Sequence, residues 1–160
     1  RKGLKTVLVE EILDDAHYQE VLNKYVKHAN NYSFKTLPIN QLTNWWFLTK
    51  HANGSSPQLR IYRAFLEEDQ KSTISTIGIG KFHTTSIYLF GFSSILGKKH
   101  NANSVLLWHA IKEAIKMNCI QFDLGGLNAS TPKGIKRFKQ GLNGKPYFMI
   151  GEYLSILLFI

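Results

Sequence analysis

The apolar positions of this 160-residue chain change their period several times, and each change marks an element. From Tyr18 onward, Val21, Leu22, Tyr25, Val26 and Ala29 recur at three- and four-residue spacing, the repeat of one helical face. Asp14 or Asp15 is placed to cap that helix, because a short carboxylate there accepts from first-turn N–H groups that lack a helical partner. Asn30-Asn31 is expected to end it. His17 and His28 lie off the stripe and are expected in solvent. Ahead of the helix, residues 5–9 read as a first strand. Pro38 suits the opening of a second helix, Ile39 to about Lys50, since its missing N–H costs nothing there. That helix carries Leu42, Trp45, Trp46 and Phe47. Two adjacent tryptophans cannot both face one core. One is expected inside, with the other either at the core boundary or against a groove or partner domain.

Residues 53–57 read as a loop. Three strand-like runs follow, Gln58 to Leu66, Thr73 to His83 and Ser86 to Phe92, joined by Glu67 to Ser72 and by Thr84-Thr85. Links this short join antiparallel neighbours, so the runs predict a meander. Gly78 and Gly80 mark either a bulge or a place where a ligand lies against the backbone. Residues 101–142 then read as helix, strand, double-glycine turn and a basic helix. Asn103 or Ser104 is the expected cap. Leu107, Ala110, Ile111, Ala114 and Ile115 form the stripe, and Asn118 is a left-handed stop. Cys119 to Leu124 has the short apolar character of a buried strand. Gly125-Gly126 ends it where the backbone must turn sharply or admit a neighbour. On a helix from Pro132, Ile135, Phe138 and Leu142 share one face. Tyr153 to Ile160 reads as a last strand. The order predicts an α/β (α+β) fold, a mixed central sheet flanked by helices, and the length is that of one domain, 1–160.

One ordered set of residues carries a resemblance. Leu106-Leu107-Trp108, Ala110-Ile111, Phe122-Asp123-Leu124-Gly125-Gly126, Gly134-Ile135 and Phe138-Lys139-x-Gly141-Leu142 resemble the FemABX-like branch of the GNAT acyltransferases. That branch includes the peptidoglycan bridge aminoacyltransferases. The resemblance implies a GNAT-like fold and an acyltransferase. An acyl or aminoacyl group would pass to an amine acceptor by direct attack, without a covalent enzyme intermediate and without a metal. The acceptor implied is a cell-wall precursor. Two alternatives stand beside it: an acyl-CoA-dependent N-acetyltransferase acting on a small amine or sugar, and a non-catalytic acceptor-binding lobe of a two-lobe enzyme. Relatives usually carry two GNAT-like halves, so a second lobe or a homodimer is an expected partner. The chain begins at Arg1, which fits a piece of a longer protein.

Composition narrows the partners. A hydrophobic fraction of 44% with 19% charged residues is that of a globular chain, which excludes a disordered one. The formal charge of +9 points to an anionic partner, such as a phosphorylated acyl donor, a nucleotide-sugar, tRNA or an anionic membrane face. The plain alternative is a soluble lysine-rich surface. The single Cys119 excludes an internal disulfide framework and a multi-cysteine zinc site, and it reads as a structural thiol. No apolar run approaches the roughly 20 residues that span a bilayer, and no signal peptide is evident, so a cytoplasmic location is expected.

Two basic regions are placed for chemistry. GNAT proteins hold the acyl-CoA pyrophosphate at a helix N-terminus, where unpaired N–H groups and the helix dipole favour anions. The equivalent stretch, Leu96 to Asn103, supplies Gly97, Lys98 and Lys99 ahead of Asn103 and Ser104. The usual signature of Gln or Arg followed by x-x-Gly-x-Gly/Ala is absent. That absence agrees with the FemABX-like branch, whose characterised members use aminoacyl-tRNA. The donor is therefore expected to be aminoacyl-tRNA or acyl-CoA, with no permanently bound cofactor. Read without the resemblance, the stretch is a basic loop before a capped helix. The second region holds Lys133, Lys136, Arg137, Lys139 and Lys145. The resemblance implicates the lysine after the motif Phe138, which is Lys139, in acyl transfer. An ammonium there would stabilise the oxyanion formed when an amine attacks a carbonyl, or it would bind the donor's phosphate. Asp123 would either accept the amine's proton or cap its own turn. Gly125, Gly126, Lys136 and Phe138 complete the expected donor-binding set, with an anion site expected between the Gly97–Asn103 loop and the Lys136–Lys139 face. His83 and His109 have no partner legible in the sequence. No catalytic triad, paired-acid motif, metal-ligand spacing or Walker loop can be read.

Overall fold

The structure, a computed structural model, describes residues 7–51, 57–127 and 131–147. The chain divides after Gly125 into two compact units. In the first, strand β1 (Val7–Glu11) leads into helices α1 (Asp15–Tyr32) and α2 (Ile39–His51). Strands β2 (Gln58–Leu66), β3 (Ser75–Phe82) and β4 (Thr85–Ser93) come next, then a short helix α3 (Ile95–Lys99), helix α4 (Ala102–Lys116) and strand β5 (Gln121–Asp123). The second unit contains helix α5 (Lys133–Gln140) among its described residues. The expected loop at 53–56 and the expected last strand from Tyr153 lie outside the described residues.

The five strands form one mixed sheet in the order β1-β2-β3-β4-β5. The first four are antiparallel, as the short links predict for β2, β3 and β4, and β5 joins β4 in parallel after the α4 crossover. Side chains alternate between the faces of a strand, and β2 shows where each half of its apolar set goes. Leu59 and Ile61 pack beneath α1 and α2 with Tyr18, Leu22, Tyr25, Leu42 and Trp46. Tyr62, Ala64 and Leu66 pack beneath α4 with Val105, Leu106 and Ala110. With both faces covered, β3 is buried continuously from Ser75 to Gly80. That explains why its sequence reads as a run and not as an alternation.

Asp14 caps α1, its side chain accepting from the His17 N–H. Helix α1 passes the expected Asn30-Asn31 stop and ends at Ser33, which takes the left-handed conformation at φ 52°. Trp46 is buried and stacked on Tyr18 at 4.5 Å, while Trp45 sits half-buried, edge-on to Phe82. The pair is thus one core and one boundary residue. The irregularity at Gly78/Ile79 is a break in the β3–β4 register. What approaches the backbone at Gly78 is a ring of the protein itself, since a Cβ there would lie 2.3 Å from Phe90.

Four expectations are corrected. Helix α4 begins after Asn101, so Asn103 and Ser104 lie inside its first turn. Asn101 has φ 53° and makes no side-chain cap bond; it reverses the chain out of α3, a turn that Asn tolerates better than most residues. The α4 stripe is displaced, with Val105, Leu106, Leu107, Ala110 and Ala114 buried and Ile115 66% exposed. Strand β5 is an exposed to half-buried edge and not a buried strand, and Ile120 just before it is 87% exposed. Asn118 is left-handed as expected, at φ 57°. His28 is also corrected. It is half-buried, with its ring against Tyr32, Phe34 and Phe92, and burial holds its pKa below the ordinary histidine value.

Candidate functional site

Strand β4 outruns its neighbour. It pairs with β5 only through Thr85, Ser86 and Ile87, opposite Gln121, Phe122 and Asp123. From Tyr88 to Ser93 that edge of β4 has no strand partner among the described residues. At Asp123 the β5 backbone leaves the sheet through Gly125, whose φ of 77° is left-handed. Asp123 secures the departure, with Oδ1 accepting from the Gly125 N–H at 2.7 Å. The carboxylate is therefore a turn cap, and Gly125 is required by backbone conformation.

The other wall of this wedge comes from the start of α4. The Tyr88 ring is half-buried against the α4 side of the core, and desolvation there pushes its hydroxyl up to about 12, a rise that a hydrogen bond with the Asn103 side chain partly opposes. Gly91 makes room for the arrangement, because a Cβ there would lie 2.0 Å from the Tyr88 oxygen. Asn103 Oδ1 is buried without a hydrogen-bond partner among the described residues. Sequence reasoning missed Tyr88. The one signal was a glycine three positions after an aromatic residue in a strand.

Gly97 lies in a short helix where a loop is expected. It lies inside α3, buried, with a would-be Cβ 2.2 Å from the Ile74 carbonyl oxygen and its N–H donated to Ser94 Oγ at 3.0 Å. Its smallness serves packing. Lys98 and Lys99 are exposed in the last turn of α3, and Ser104 N–H donates to the Asn101 carbonyl at 3.0 Å.

In the second unit, α5 begins after Pro132, whose carbonyl accepts from Ile135 and Lys136. Lys136 is exposed, while Phe138 and Lys139 are half-buried. Lys139 Nζ donates to the Gly126 carbonyl at 3.0 Å, which ties the helix to the residue after the turn. No group of three or more potential metal ligands occurs among the described residues. No helix of those residues is long and apolar enough to cross a membrane.

The fold has known counterparts. A GNAT family acetyltransferase of Staphylococcus aureus subsp. aureus USA300_TCH1516 superposes with a TM-score of 0.53 at 16% identity, covering 94% of this chain and 99% of its own. A possible acetyltransferase from Clostridium difficile 630 superposes with a TM-score of 0.62 at 14% identity, covering 95% and 99%. At these identities the likeness establishes the fold, which is GNAT-like. No curated protein matches the chain. The FemAB family model matches residues 49–156, a span that includes the whole β2–β5 sheet segment and α5, and the chain belongs to the FemAB family.

Proposed function

We propose that the protein transfers an acyl or aminoacyl group to the amine of an acceptor, with a cell-wall precursor as the acceptor class and aminoacyl-tRNA as the donor. The observation that carries this reading is the wedge where β4 continues past β5. An extended donor arm laid along the Tyr88–Ser93 edge would meet backbone groups that have no strand partner among the described residues, as a peptide does when it adds to a sheet. Lys98 and Lys99, with the first turn of α4 at Asn103 and Ser104, are the groups assigned to the donor's phosphates in the first unit. Lys136 and Phe138 are those assigned to the donor in the second. The amine nitrogen attacks the donor carbonyl and a C–N bond forms. The carbonyl oxygen carries negative charge until the C–O bond to the tRNA ribose breaks. Lys139 is assigned to that oxyanion. Asp123, oriented by its bond from Gly125, is assigned to take the amine proton and return it to the departing ribose oxygen. A cytoplasmic location goes with this reading.

The second reading, an acyl-CoA-dependent N-acetyltransferase, is favoured by the two structural counterparts described as acetyltransferases. The deciding experiment offers the full chain an amine acceptor with either charged tRNA or acyl-CoA. Transfer from tRNA supports the first reading and transfer from acyl-CoA the second. Transfer from neither, in the full-length protein, moves the chain to the acceptor-binding role. With a working donor, Lys139→Ala is expected to lower turnover about 100-fold with little change in donor affinity. Lys136→Ala removes a charge from the same helix and is the control. Equal turnover in the two variants would remove Lys139 from the chemistry.

A further inference from the structure

A groove of about 440 Å³ opens between the second half of α1 and the ends of β3 and β4, on the sheet face away from α4. Lys24, Lys27, His28 and Asn31 form its α1 wall, at the spacing that puts all four on one side of a helix. The floor is the start of β3 and the last residues of β4. Thr76, in that floor, is wholly buried, and its Oγ1 has no hydrogen-bond partner among the described residues. It lies two residues before Gly78, so it points to the same sheet face as the Gly78–Phe90 contact beneath α1. Three neighbouring serine hydroxyls are already engaged. Ser75 Oγ donates to the Phe92 carbonyl and shares a bond with Ser93 Oγ, and Ser94 Oγ bonds the Ile74 carbonyl. Lys24 is bridged to Glu20, whereas Lys27 has no acidic partner among the described ion pairs.

We propose that this groove binds the phosphate group of a soluble organic phosphate, with Lys27 and Lys24 supplying charge, Asn31 a side-chain donor, and the Thr76 hydroxyl a donor at the floor. A phosphate presents several strong acceptor oxygens, which matches a wall of cationic and amide donors over one unmatched hydroxyl. The groove is built within the first unit, and its occupancy is independent of acyl transfer. A protein that transfers no acyl group can still pass the test, and an active one can fail it.

The test is an NMR titration of the full chain with inorganic pyrophosphate at low salt. Saturating shifts are expected at Lys27, His28, Asn31 and Thr76. Thr76→Val keeps the shape and removes the hydroxyl, so the unfolding midpoint should hold or rise while pyrophosphate binding weakens about tenfold, the worth of a hydrogen bond to a charged group. Lys27→Glu should weaken binding further. Shifts that do not saturate and spread evenly over surface lysines would overturn the proposal. Unchanged binding in Thr76→Val would overturn it as well.

Discussion

At the scale of single residues, two tyrosines report on how tightly the α4 side of the sheet is closed. Burial pushes Tyr62 up to about 12, with the nearby Glu11 charge adding to the rise, and burial does the same for Tyr88. Both folded values lie above the ordinary tyrosine value of about 10. The folded state therefore holds these protons more tightly than the unfolded chain does. That contribution is fully present below about pH 10 and is lost as pH rises through about 12. The denaturation midpoint should accordingly be flat from pH 8 to 9.5 and fall between pH 10 and 12, with Tyr88→Phe removing part of the fall. Ultraviolet titration of the folded protein provides the check. If all seven tyrosines ionised together near pH 10, the closed packing around these two would be refuted. Trp46 gives a second residue-scale prediction. Its Nε1 donates to Asp15 Oδ1 at 2.7 Å, and Lys50 reaches the same oxygen at 2.8 Å. Trp46→Phe keeps an aromatic ring against Tyr18 and should lose about 1 kcal/mol for the missing bond. A loss several times larger would mean that ring shape, not the hydrogen bond, joins α1 to α2.

Among the elements, the β3–β4 pair is the most constrained. Gly78→Ala forces a methyl into the Phe90 ring, which already stacks on Tyr25 at 4.5 Å. Overpacking of this kind should cost about 1–3 kcal/mol in denaturant unfolding. Phe90→Leu in the same chain should recover part of it, and equal losses in the single and double variants would rule out the steric cause. The glycine was legible in the sequence as a bulge, but the ring that needs it was not, because Phe90 lies on the next strand. The same division runs through the other elements. Helix α1 and strand β2 could be read closely because helical spacing, a capping Asp14 and an unbroken apolar run are local signals. Helix α3 was not legible. Its five residues are held by Ser94 and by the contact of Gly97 with Ile74, and a contact across the fold leaves no pattern in the sequence. The cap was misread for a related reason. Asn101 is chosen by the direction in which the chain must leave α3, whereas Asn103 and Ser104 merely have the right side chains. Of the candidate site, the Asp123–Gly125 turn could be foreseen from residue types. The wedge beside β4 could not, since it depends on where the parallel pairing stops.

For the whole molecule, residues 7–125 contain both core clusters and all five described strands. A chain ending at Leu127 should therefore retain a cooperative thermal transition and a mixed helix–strand circular dichroism spectrum. A broad, non-cooperative melt would show that the first unit depends on residues of the second for its stability. The sheet's order of strands has a consequence for how the chain is made. Strand order in space equals strand order in sequence. A ribosome delivers the N-terminus first, so each of the five described strands finds its sequence neighbour already in place, and none of the five has to wedge between two others. An open strand edge invites pairing with a foreign chain. During synthesis of this sheet, the edge left open on the growing side is the one the next strand will cover. Two steps wait for helices: β1 to β2, across α1 and α2, and β4 to β5, across α3 and α4, and during the second interval the nascent chain presents the β4 edge.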